Sequence, residues 1–300
     1  NTPATWAGTL GRMAINKRQH FVSQFTIRAF MGDRDRLFCL DKSTLQVRDR
    51  THGNLPADIL NEAYYYTTDT DDFDGEIVRP LETKLAPICS RYVADPDRPL
   101  TLDDMAVLVD WCALSLTRSI YFAHVAPIAY ESLSPEDKAD LPADGKAMTL
   151  VARRATFHRI RQEMRKVGLT FRFLKSPRPF GYYLTDQPAA PIPYRRVGAI
   201  GPLLLPLAHN LILVQIPTEL ADEFYRSLTP TLEWLTLAQC GWARRLIYSA
   251  DLEALDFAAF VLSEGSGDWP KEMRERARRP FFGFGEPSEL ASMWADETPQ

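Results

Sequence analysis

The sequence predicts a helix-rich α+β fold, an antiparallel sheet with helices packed around it. Three observations carry that prediction. Helical periodicities lie on both sides of a strand-rich middle. The strand runs follow one another without the alternation that a parallel sheet needs. Two pairs of runs are separated by only two or three residues, as hairpins are. Of the 300 residues, 45% are hydrophobic and 25% charged, an ordinary balance for a chain of this length that buries a core. No apolar run approaches the roughly 20 residues that a membrane helix requires, so no membrane partner is expected.

The elements follow in chain order. RLFCLDK and LQVRDR, separated by Ser43 and Thr44, predict a hairpin, and AYYYTT a further strand. In EIVRPLETKLAPICSRYV, Ile77, Leu81, Leu85, Ile88 and Tyr92 recur at helical spacing, although Pro80 and Pro87 argue against one unbroken helix. TLDDMAVLVDWCALSLTRSIYF is the strongest helix, with Thr101 as N-cap and Asp104 placed for a capping box. After a Ser-, Pro- and Asp-rich linker around 132–145, AMTLVARRATFHRIRQEMRKVG predicts a long amphipathic helix with Phe157, Ile160, Met164 and Val167 as its apolar stripe. FGYYLT, GPLLLPL and NLILVQI predict strands, the last two joined at Ala208, His209 and Asn210 as an antiparallel hairpin. Helices return in TELADEFYRSLTPTLEWLTLAQC and over 251–263. Met13 reads as a natural start. Residues 1–12 are therefore expected to be an extension or remnant, 13–264 a single α+β domain, and 265–300 an irregular tail on its surface. The opening NTPATWAGTLGR lacks the basic start and apolar core of a secretory signal.

Net charge is −4, and it is unevenly spread. From Arg153 to Arg196 there are eleven Lys and Arg against two acids, whereas 57–76 holds seven acids and no Lys or Arg. Such a split can steer an anionic ligand to one face. Cys39, Cys89, Cys112 and Cys240 show no CxxC or zinc-ligand spacing. Cys89 and Cys112 lie inside apolar helical patterns, where buried free thiols are expected, and a reducing cytoplasm fits best.

RQHFVSQFTIRAF, residues 18–30, carries His20, Gln24 and Arg28 at every fourth position with aromatics between them. The stretch resembles an uncharacterised bacterial family catalogued as domain of unknown function 4238. That family opens with a Lys/Arg-Gln-His-aromatic-Val-Pro-Gln-Phe run followed by Leu-Arg-x-Phe. Arg18, Gln19, His20, Phe21, Val22, Gln24, Phe25, Arg28 and Phe30 match it, and Ser23 stands where the family has proline. RLFCLDK, LETKLAPI around Glu82, LTRS around Arg118, LTDQP around Asp186 and PLLLPLAHNLIL are similar to later segments. The resemblance implies membership and no established activity. The family's proline implies a helix starting near Ser23, since proline is favoured at the first helical position. Gln24 and Arg28 would then share a face, with His20 just ahead of the helix.

Function has to be weighed from the chemistry of the residues. In one reading the chain is a cytoplasmic hydrolase of a phosphate-containing substrate, a metal-dependent nuclease for example. His20 and Asp186 would be catalytic. Glu82 and Asp186 would hold a divalent ion such as Mg²⁺ or Mn²⁺. Gln24, Arg28, Arg118, Arg154, His158 and Arg161 would bind a nucleic acid or nucleotide. For each there is a plainer role: Asp186 as a turn residue ahead of Pro188, Arg118 as a buried cation paired with Glu82 or Asp110, and the basic stripe Arg154, His158, Arg161 and Arg165 as a solvated helix face. The alternatives are a non-enzymatic binding or regulatory domain and a bacterial defence or toxin effector. DTDDFDGEIV resembles a calcium loop only in part, because Thr70 and Leu81 stand where essential carboxylates belong. Walker, GxGxxG, HExxH and GxSxG motifs are absent.

Overall fold

A computed structural model describes residues 18–20, 22–31, 34–63, 72–118, 131, 135, 138, 145–176, 181–192, 197, 200–227 and 239–263. The C-terminal tail, the N-terminal extension and AYYYTT beyond Ala63 lie outside these residues, as does the expected linker apart from Pro135, Lys138 and Gly145, which are helical.

The architecture is α+β and helix-rich, and every strand pairing is antiparallel. One four-stranded sheet has its strands in the order β3 (Gln46–Arg48), β2 (Phe38–Asp41), β10 (Leu246–Ser249), β6 (Leu184–Thr185). The predicted hairpin forms its edge, with Leu40 opposite Val47. Leu40, Tyr183 and Ile247 pack with α6 (Leu252–Ser263), which buries Ala254, Leu255, Ala258, Val261 and Leu262. That spacing is the apolar stripe of an amphipathic helix.

The second sheet runs β5 (Leu169–Lys175), β9 (Leu211–Pro217), β8 (Leu203–Ala208), β7 (Ala190–Pro191). Every residue of β8 and β9 is buried, which accounts for their nearly continuous apolar reading. The His209–Asn210 turn joins them as predicted. Helix α1 (Gln24–Met31) packs on β8 through Ile27, Phe30 and Met31. A third pairing, β1 (Arg18–His20) with β4 (Asn61–Ala63), sets His20 opposite Asn61.

Helices α2 (Arg79–Ala94), α3 (Leu102–Arg118) and α4 (Gly145–Val167) complete the main core, and α5 (Ala221–Ser227) follows β9. Pro80 sits in the first turn of α2, where its missing N–H costs nothing. Pro87 stands inside α2 without ending it. A π-helical turn, Asp74–Val78, leads into α2. There the Asp72 carboxylate accepts the Gly75 N–H at 2.8 Å, in the manner of a helix cap. The acidic stretch thus opens a helix, and no group of three or more metal-ligating side chains occurs among the described residues.

Two expectations need correction. Thr101 caps α3, its hydroxyl accepting the Asp104 N–H at 3.1 Å, but Asp104 does not complete a capping box. Its carboxylate turns to Arg91 at 2.6 Å and the Tyr92 hydroxyl at 3.1 Å, tying α3 to α2. The basic run after Arg153 is also not carried by one element. Gly168, at φ +73°, closes α4 by donating to the Met164 carbonyl, and LTFRFLK beyond it is strand β5.

Candidate functional site

Helix α1 begins where the proline of the resembling family implies. The Ile27 N–H reaches the Ser23 carbonyl at 3.0 Å. The Ser23 side chain faces inward instead of capping, and donates to Glu82 Oε1 at 2.6 Å. Arg118, its side chain 1% exposed, donates through Nη1 to the same Glu82 oxygen at 2.6 Å and to Ser23 Oγ at 3.1 Å. Its Nη2 donates to the His20 backbone carbonyl. One guanidinium thereby joins β1, the entry to α1, α2 and the end of α3, and lies 5.9 Å from the centre of the Trp111 ring. Of the two partners expected for Arg118, Glu82 is the one found. Asp110 serves the basic stripe. Burial raises the Asp74 carboxyl above its ordinary range, against the pull of Arg79 at 2.6 Å and of Arg118.

Gln24 and Arg28 lie on the other side of α1, exposed and bonded to each other at 3.3 Å. They do not converge on the Arg118 cluster. On α4, Arg154 pairs with Glu76 at 2.6 Å, and Arg161 and Arg165 share Asp110 of α3 at 2.6 and 3.0 Å. His158 is exposed beside the Phe157 ring. The stripe expected to attract a polyanion is therefore largely neutralised by acids of neighbouring elements. Each of these ion pairs leaves less charge for a phosphate backbone.

Asp186 belongs to a second cluster. It follows β6, is 3% exposed, and accepts three backbone N–H groups: Arg244 at 2.8 Å, Arg245 at 2.8 Å and Leu246 at 3.0 Å. Beside it Lys42, 0% exposed, donates to the carbonyls of Gly241 at 2.5 Å and Ala243 at 2.8 Å. The Gln239 amide meanwhile exchanges hydrogen bonds with the Tyr183 backbone. Segment 239–246 is thus held by Asp186 just after β6, by Lys42 in the β2–β3 turn and, through its own Gln239, by the backbone ahead of β6. Burial pushes the Asp186 carboxyl up and the Lys42 ammonium down, the latter to about 7. Both Asp186 oxygens are taken by amides, and none of its bonds runs to His20 or Glu82, so the ion-binding pair expected of Glu82 and Asp186 is split between two clusters.

Neighbouring Asp41 accepts from Ser43 at 2.6 Å, Arg48 at 2.5 Å and Arg245 at 2.9 Å. Burial alone would raise its carboxyl, but these donors outweigh that and hold it well below the carboxylate range. A depressed folded-state pKa means the contribution is complete above pH about 4, the unfolded value, and fades as pH falls through the folded one. Asp41→Asn is therefore expected to flatten the loss of stability on going from pH 6 to pH 3, read from urea midpoints at each pH. An unchanged slope would place the acid sensitivity elsewhere.

Lys42, Ser23, Asp74 and Asp41 all escaped the sequence reading. Only Ser23 carried a signal, its departure from the proline of the resembling family. The four cysteines are buried and free, and burial lifts each thiol, Cys39 to about 11 and Cys89 to about 12. These thiols stay protonated at neutral pH, so they are poor nucleophiles.

Fold and clusters together define an antiparallel α+β protein in which Arg118 and Asp186 are bound into its own framework. The chain belongs to the family described as protein of unknown function, DUF4238, whose model matches residues 18–227. No curated protein and no solved structure matches it. The match begins on the Arg18 motif and includes Asp186, while the segment that Asp186 and Lys42 hold lies beyond it. No helix among the described residues is long and apolar enough to cross a membrane.

Proposed function

We propose that this chain is a non-enzymatic binding or regulatory domain in which the matched motif is framework. One observation carries the reading. The two motif charges best placed for chemistry, Arg118 and Asp186, spend their hydrogen bonds on the protein itself. Arg118 holds Ser23, Glu82 and the His20 carbonyl, and Asp186 holds three backbone amides. A divalent ion needs carboxylate oxygens facing it, and a phosphate needs an open guanidinium edge. Neither group offers these.

The test is cleavage of single- and double-stranded DNA and RNA with Mg²⁺, with Mn²⁺ and with chelator, alongside His20→Ala. No cleavage under any condition is expected. Metal-dependent cleavage that is lost in a folded His20→Ala protein would restore the hydrolase reading.

A further inference from the structure

Apart from both clusters, a cavity of about 350 Å³ opens beside the start of β2, lined by Arg34, Asp35, Arg36, Phe38, Thr51 and His52. From its geometry we infer that it binds a phosphate monoester of nucleotide size, an inference that rests on the binding-domain reading.

Both arginines are held in place by backbone. Arg34 Nη1 donates to the Ala250 carbonyl, and Arg36 Nη1 to the His52 carbonyl at 3.3 Å. One bond on each restrains its guanidinium, and a planar fork partly set in advance loses less freedom when it takes a phosphate. The opposite wall is equally fixed. Asp49 accepts the Thr51 and His52 N–H groups at 3.1 and 2.9 Å, which folds the turn. Leu37 and Asn54 exchange backbone bonds at 3.0 and 2.7 Å, which ties that turn to the strand carrying Phe38. Gly53 sits at φ +63°, where a Cβ would also press on the Leu37 carbonyl at 3.1 Å.

Two guanidinium forks, a hydroxyl and an imidazole provide donors for phosphate oxygens, and the half-buried Phe38 ring provides an apolar wall for the organic part. The volume lies at the small end of small-molecule sites. It exceeds the needs of inorganic phosphate and suits a mononucleotide. Two acids oppose the ligand. Asp49 is turned to its own backbone and to the His52 ring. Asp35 stands exposed at the rim, 3.9 Å from Arg36.

Calorimetric titration of the full chain with adenosine 5′-monophosphate, inorganic phosphate and adenosine tests the site. The monophosphate is expected to bind more tightly than inorganic phosphate, adenosine not to bind, and added salt to weaken binding. Arg36→Ala and Arg34→Ala should each weaken the monophosphate about tenfold or more, Asp35→Asn should tighten it severalfold, and Arg172→Ala, remote from the cavity, should leave it unchanged. Thermal melts confirm that each variant is folded. No binding of monophosphate or phosphate at millimolar concentration would overturn the site. Binding that survives both arginine variants would do so too, while leaving the binding-domain reading standing. Phosphate release during the titration would instead overturn that reading and spare the site.

Discussion

Replacing Arg118 with alanine is expected to lower the free energy of unfolding by about 3–5 kcal/mol, the range for removing one partner of a buried ion pair. Two effects set the value within that range. Glu82 is 26% exposed in its side chain, so it recovers water once its partner is gone, which favours the lower end. The His20 carbonyl and the Ser23 hydroxyl lose a donor at the same time, and an unsatisfied buried group adds about 1–3 kcal/mol. Arg118→Lys keeps the charge but loses the fork that reaches three acceptors on three segments, so it should recover only part of the loss. Arg28→Ala is the contrast. Among the described residues that guanidinium meets Gln24, on an exposed face, and the change should stay within about 0.5 kcal/mol. Urea unfolding followed by tryptophan fluorescence measures all three, with Trp111 close to Arg118. Full stability of Arg118→Ala would return the guanidinium to the role of a ligand-facing cation.

What was legible in the sequence was local. The β2–β3 and β8–β9 hairpins announce themselves by adjacent apolar runs and tight turns, and the helices by their periodicity. The start of α1 follows from the motif, because a capping position constrains only its immediate neighbours. Strand β10 was not legible. LIYS is four residues long, and what makes it a strand is its place between Leu40 and Thr185, partners far away in the chain. Strand β5 was obscured for another reason: its Arg and Lys continue the composition of the helix before it, and only Gly168 marks the change of element. Charged pairings divide along the same line. Arg118 in an apolar helix demands a carboxylate, so Glu82 was within reach of reasoning, but the contribution of a backbone carbonyl at His20 was not. Asp110 was open as an alternative to Glu82 for Arg118, because the α3–α4 packing that brings it to Arg161 has no local signature. Lys42 is the clearest case. In a hairpin turn a lysine normally points to water, and only the tertiary covering by 239–246 buries it.

That burial makes the Lys42 and Asp186 pair the second site of large expected effect. Asp186→Ala removes the acceptor of three backbone N–H groups on Arg244, Arg245 and Leu246. It also removes the carboxylate whose charge favours the buried Lys42 ammonium. At about 1–3 kcal/mol for each unsatisfied buried group, the loss is expected to reach about 4 kcal/mol and to free segment 239–246 before the rest of the chain unfolds. Because β10 begins at Leu246, its pairing with β2 and β6 should loosen with it. Hydrogen exchange resolves this directly: the amides of 244–249 should lose protection in Asp186→Ala while those of β8 and β9 keep theirs. Lys42→Met should be milder, since it removes a costly buried cation together with its two bonds. The double variant should cost less than the sum of the singles, as expected for groups that share a partner segment. These outcomes also separate the two roles considered for Asp186. A residue kept for catalysis can be replaced at little cost to stability, whereas one that fastens a crossing strand cannot. Unchanged protection over 244–249 in a folded Asp186→Ala protein would count against the framework reading and give the carboxylate back to chemistry.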